Sequence, residues 1–180
     1  MGKMPRLFFG ILMICALCGK LYAGGDARAR YDEAIRYTKL KQPDFALMEF
    51  RSILQDFPKT VFAQKALFAI AEYCYDRRMH YEAIRNFTAH INDYPGSAAN
   101  VFARAYLLKI MQDIREPNPE ERRLFEEIKT AFFSKPLFLL FSEYKKTSYK
   151  SPSQNKFKIR YYVGNIEVYR NGQLFVKLTP

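Results

Sequence analysis

The sequence predicts a mostly α-helical chain, an antiparallel helix-pair array that ends in a small antiparallel β meander. Three observations predict it. Two segments repeat at a spacing of 37 residues, so that Ala46 falls on Ala83, Phe50 on Phe87, Asp56 on Asp93, Pro58 on Pro95 and Ala66 on Ala103. Twelve positions before each leading alanine stands another, Ala34 before Ala46 and Ala71 before Ala83. Small residues let two helices cross closely, an aromatic one turn later fills the seam, and proline stops the second helix. Beyond residue 155 the apolar period changes from the helical value of about 3.6 to the strand value of 2. There Phe157, Ile159, Tyr161 and Val163 alternate with Lys158, Arg160 and Tyr162.

The elements follow in order. Ala27, Tyr31, Ala34, Ile35 and Leu40 space a first helix that ends near Lys41 and Gln42. Pro43 suits the first turn of the second, whose apolar face runs through Ala46, Ile53 and Phe57 to the stop at Pro58. Thr60 caps a third helix through Cys74, and Asp76 to His80 turns the chain into a fourth, Tyr81 to Tyr94. Ser97 is expected to cap a fifth helix that runs to about Arg115. Glu116-Pro117-Asn118-Pro119 breaks the pattern, and Asn118 with Glu121 forms a capping box for a sixth. Ser134-Lys135-Pro136 interrupts again before Leu137 to Phe141, a short apolar run expected to pack back on the array. Residues 143–155, rich in Lys, Ser and Pro, read as a linker. A three-stranded appendage over 156–180 turns at Gly164-Asn165 and at Asn171-Gly172, the second a strong hairpin signal. So small a sheet must pack on the helices, pair with a partner's edge, or extend with another copy.

Charge is distributed unevenly over the 180 residues. The net charge is +11, yet residues 26–134 carry 17 basic and 16 acidic groups, while residues 135–180 carry nine and two. The array is nearly neutral and the tail holds the positive field. Lys3 and Arg6 precede the apolar run Leu7 to Leu17, and Leu21-Tyr22-Ala23 offers a small residue for cleavage. This is the plan of a secretory signal peptide over residues 1–23, and the run is short for a transmembrane helix. Cys15 and Cys18 fall inside it, so the mature chain keeps only Cys74, expected as a buried, inert thiol. Lipidation at Cys18 is an alternative route, but the places three and one before it hold Cys15 and Leu17 rather than leucine and a small residue. The helical domain then spans residues 26–142.

The segment from Tyr31 to about Met111 resembles a tetratricopeptide repeat array. Ala34, Ala46, Phe50 and Pro58 in one unit, and Ala71, Ala83, Phe87 and Pro95 in the next, match that family's pattern. The spacing of 37 departs from the family's usual 34. It is similar to the long-loop repeats of bacterial cell-envelope proteins, among them the outer-membrane assembly lipoprotein of the BamD type and the periplasmic coordinator associated with the Tol–Pal system. The next first-helix position, Leu108, is not small, which points to the end of the array. The resemblance implies a scaffold whose first helices line a concave partner-binding surface. Tyr37, Lys41, Lys65, Phe68, Glu72, Arg104 and Lys109 are the candidates for that lining, with Lys158 and Arg160 on the tail as a second contact.

No catalytic constellation emerges. His80 and His90 lie without a cysteine pair or carboxylate at metal-ligand spacing, and no glycine-rich phosphate loop follows a strand. No enzyme activity, cofactor or metal is expected. Nucleic acid is set aside because an exported protein does not meet it, although basic and aromatic residues interleave in the tail. The expected function is a non-catalytic protein–protein interaction scaffold of the cell envelope, periplasmic or outer-membrane associated. Its partners would be envelope proteins, with an anionic membrane surface meeting the basic tail. The alternative is a soluble periplasmic coordinator or peptide-binding adaptor that forms homo-oligomers.

Overall fold

The computed structural model describes residues 26–114, 116–132, 137–144 and 146–179. The expected signal segment with Cys15 and Cys18, the break at Ser134-Lys135-Pro136, and Arg115 lie outside the described residues. Helix α1 covers residues 26–39. It is followed by α2 (Pro43–Asp56), α3 (Val61–Asp76), α4 (His80–Asp93), α5 (Asn100–Asp113), α6 (Pro119–Phe132) and α7 (Leu137–Ser142). Strands β1 (Ser148–Lys150), β2 (Lys156–Tyr162), β3 (Asn165–Arg170) and β4 (Gln173–Leu178) complete the chain.

The repeat is geometric as well as textual. Ala34, Ala46, Ala71 and Ala83 are buried, and so are Phe50 and Phe87, while Pro58 and Pro95 stand exposed in the turns that follow α2 and α4. The turn after α1 closes with Gln42 N–H donating to Tyr37 O and Lys41 N–H to Thr38 O. The turn after α3 does the same, Met79 N–H to Cys74 O and Arg78 N–H to Tyr75 O. These paired bonds form the Schellman stop, which needs a left-handed residue. Lys41 (φ 57°) and Arg78 (φ 58°) supply it, 37 positions apart.

Capping follows the sequence at two helices and departs from it at a third. Thr60 Oγ1 accepts from Ala63 N–H at 3.1 Å. Asn118 Oδ1 accepts from Glu121 N–H at 2.8 Å while Glu121 Oε2 accepts from Asn118 N–H at 2.9 Å, a complete capping box. Ser97, by contrast, does not cap α5, which starts three residues later at Asn100. Its hydroxyl accepts from Ala99 N–H and from the Gln64 amide of α3, so it ties the loop before α5 to α3 instead.

The appendage is a four-stranded antiparallel sheet in the order β1-β2-β3-β4, not a three-stranded one. The extra strand, β1, comes from within residues 143–155 and pairs Ser148 with Lys158 and Lys150 with Lys156. The composition of that stretch signals a linker, but β2 presents an open edge that recruits it. Asn171 (φ 53°) and Gly172 (φ 86°) make the tight turn between β3 and β4 as their sequence demands. The earlier turn sits at Val163-Gly164 (Gly164 φ 81°), one residue before the expected place, and Asn165 belongs to β3. In β4 two consecutive residues, Phe175 and Val176, face the core. A bulge explains this: Val168 opposes Val176 and Tyr169 opposes Leu174, leaving Phe175 unopposed and turned inward.

The sheet packs on the helices, and the two share one hydrophobic core. Its seam is aromatic. The Phe87 and Tyr106 rings stack at 4.5 Å between centroids, Phe102 stacks on Tyr149 at 4.6 Å, and Phe157 and Phe175 approach Phe102 and Tyr106 at 4.8 and 4.9 Å. Short α7 buries Leu137 and Phe141, and the Tyr161 hydroxyl lies between Phe141 O (3.0 Å) and Tyr144 O (2.8 Å), which fastens β2 to it.

Candidate interaction surface

The face that the first helices were expected to offer a partner is occupied by the chain itself. Phe68 and Glu72 of α3 are both buried, Phe68 edge-on to Tyr149 of β1 at 6.0 Å. Neither can line an open surface, and this corrects their assignment. The physical reason is the apolar inner face of the sheet, which cannot stay in water and finds its complement on α3 and α5.

Glu72 is the centre of a sealed polar node. Its carboxylate is 0% exposed, and its Oε1 accepts from the Tyr106 hydroxyl at 2.8 Å and from the Asn155 amide at 3.1 Å. Burial pushes its carboxyl above the usual carboxylate range, against the pull of Ser151, Tyr106, Arg170 and Asn155. Tyr106 is pushed well up too, by burial first and then by the Glu72 charge. Arg170 of β3 closes the node. Its guanidinium donates to both oxygens of Asp76 at 2.6 and 2.8 Å and lies 5.5 Å from the ring centres of Tyr75 and Tyr106. Tyr106, Asn155 and Arg170 each come from a different part of the chain. Nothing in their local sequence marks them as partners of Glu72.

The remaining candidates separate. Tyr37 is half-buried and stacks on Phe45 at 5.5 Å, with the Arg36 guanidinium 4.8 Å from its ring centre. Lys65 places its ammonium over Tyr31 and Phe62, at 5.2 and 5.8 Å. Arg104 is half-buried and donates a long 3.4 Å bond to Asn100 O, and Lys109 is tied to Asp113 at 2.6 Å within its own helix. Lys158 and Arg160 stand exposed on the outer face of the sheet. Lys65 borders one cavity, together with Tyr31, Lys39 and Tyr149, and Lys41 borders another.

The cavity at Lys41 is a groove of about 340 Å³ between α1, α2, α3 and the loop before β2. Pro43, Ala46, Leu47 and Phe50 give it an apolar wall, while Lys41, Asp76, Arg77 and Ser153 give polar edges. These four α2 positions lie on one helical stripe. Asp44 braces α3 from the same helix, accepting from the Tyr73 hydroxyl and from Arg77 at 2.7 Å. Elsewhere on α2, Phe45 (55%) and Met48 (64%) are exposed. Among the described residues no group of three His, Cys, Asp or Glu is placed to hold a metal ion. Nor is any described helix long and apolar enough to cross a membrane. The chain matches no protein-family model and no curated protein.

Proposed function

We propose that this protein is a non-catalytic adaptor of the cell envelope that holds a partner protein in the groove of its first helix pairs. The observation that carries this reading is the groove itself, floored by buried Ala46 and Phe50 of α2 with Pro43 and Leu47 reaching its opening, beside an array whose inner face is already filled. A concave, mostly apolar cleft with a few polar groups at its rim suits an extended peptide segment. The resemblance to tetratricopeptide envelope proteins supports the same class of function. The apolar run behind Lys3 and Arg6 supports export to the periplasm or outer membrane.

A photo-crosslinking residue at Leu47, used in the native host, tests it. Capture of a discrete partner from Leu47 and none from exposed Arg123 on α6 supports the adaptor. Equal or absent capture from both overturns it. Recovery of β-barrel assembly components specifies an outer-membrane scaffold. Recovery of the protein itself would favour the oligomeric coordinator, a reading supported by β4, whose outer edge pairs with no described strand and whose Leu174 is exposed.

A further inference from the structure

We propose that the outer face of the sheet, led by the tip of the β2–β3 hairpin, docks on an anionic phospholipid surface. This inference goes beyond the groove and its partner. The strand register gathers the tail's charges on one side. Lys150 stands directly opposite Lys156, Lys158 follows two residues on, and Arg160 two beyond that, all exposed. Like charges directly opposite on neighbouring strands destabilise a sheet unless an anion offsets them. Among the described residues none of these four makes a salt bridge, although Glu167 stands opposite Arg160 in the register. The one acid on this face, Glu167, is engaged by the Tyr169 hydroxyl at 2.7 Å and by Lys177 at 4.0 Å.

The stripe of charge leads to an apolar tip. Val163 is fully exposed (104%) and Tyr162 beside it is exposed, while Tyr161 is held on the other face by its hydroxyl. Tyrosine and valine ahead of lysine and arginine is the order that a headgroup layer rewards, with apolar groups entering the acyl boundary and cations remaining among phosphates. A single-stranded nucleic acid fits less well. Stacking needs open aromatic faces, and the Tyr169 ring on this face is covered by the Arg160 guanidinium at 4.6 Å. An apolar tip in water adds nothing to phosphate binding.

The chain contains no tryptophan, so Val163→Trp introduces a single reporter at the tip. The full mature chain carrying it is titrated with phosphatidylglycerol vesicles, with phosphatidylcholine vesicles and with single-stranded polynucleotide. The expected result is a blue-shifted emission with phosphatidylglycerol alone, reversed by salt. Adding Lys156→Gln and Lys158→Gln is expected to weaken binding about 25-fold, about fivefold per cation. Val163→Asp in the otherwise unaltered chain weakens vesicle sedimentation while leaving thermal unfolding unchanged. No blue shift, equal binding to both lipids, or tighter binding to polynucleotide than to phosphatidylglycerol overturns the proposal. The groove takes no part in any of these readouts, so the adaptor reading stands or falls separately.

Discussion

Asn155 and Glu72 are 83 residues apart in the chain and 3.1 Å apart in the fold. The direction of their bond is fixed from a distance. Lys156 N–H donates to Asn171 Oδ1 at 2.8 Å, so the Asn171 amide nitrogen must face Asn155 Oδ1, also at 2.8 Å. That leaves the Asn155 amide nitrogen turned toward the carboxylate. A hairpin turn thus orients a donor into the core of the helical array.

Asn171→Asp tests this relay. The aspartate still accepts from Lys156 N–H but has no proton for Asn155, so Asn155 is expected to flip and lose Glu72. We expect a loss of about 1–3 kcal/mol in urea unfolding. In an Asn155→Ala background the same change should cost much less. Equal costs in both backgrounds would show that no relay exists.

Glu72→Gln should match or exceed the wild type in stability at neutral pH, because glutamine keeps the accepting oxygen and carries no charge to desolvate. Glu72→Ala should lose about 2–4 kcal/mol, since it strands the Tyr106 hydroxyl and the Asn155 amide. The pH dependence has a definite sign. A carboxyl raised above its ordinary 4.5 binds its proton more tightly folded than unfolded. Stability therefore falls as pH rises from 4.5 through the folded value, and Glu72→Gln removes that fall. A Gln variant with an unchanged pH profile would show that Glu72 is not the titrating group.

His90 acts in the opposite sense. Burial lowers it from 6.5 to about 4, against Asn100 and Asp93, and its ring lies edge-on to Phe68 at 5.3 Å. The unfolded chain takes up the proton first as pH falls. The His90 contribution to stability is full above pH 6.5 and is lost between 6.5 and about 4, by about 3 kcal/mol. His90→Phe should flatten that acid limb, as measured by urea midpoints across the range.

The helix-pair array was legible because its signals are local. Ala34, Ala71 and Pro58 mark crossings and stops within one or two turns of where they act, and Asn171-Gly172 dictates its own turn. The candidate site was not, because its residues act through distant ones. Glu72 looks like a surface carboxylate on any helical wheel until Asn155 and Arg170 arrive from beyond residue 150. Strand β1 was hidden for the same reason. Tyr149 between two polar neighbours has no pattern of its own, and only the free edge of β2 makes it a strand.

Removal of residues 145–180 is expected to cost the array its fold rather than free a binding face. Phe68, Phe102 and Tyr106 would enter water, at about 1.5–3 kcal/mol each. Their exposure exhausts the margin of an ordinary domain. We expect loss of a cooperative thermal transition and strong binding of a hydrophobic dye. A truncated chain that melts cooperatively without dye binding would mean that the sheet is a removable lid.

Arg78→Gly should stabilise the protein, which is unusual for a change to glycine. Arg78 holds φ at 58° in the stop after α3, a conformation that costs a side-chain-bearing residue about 1 kcal/mol and glycine nearly nothing. Its side chain is exposed and makes no ion pair among the described residues, so little is given up. Against this, glycine loses more entropy on folding. The net expectation is a gain of about 0.5 kcal/mol, read from urea midpoints at constant slope. Lys41 occupies the matching stop after α1, where the same change should give a similar gain, provided the groove is empty. A loss at Arg78 would mean that the left-handed turn is held by side-chain contacts that the backbone bonds do not supply.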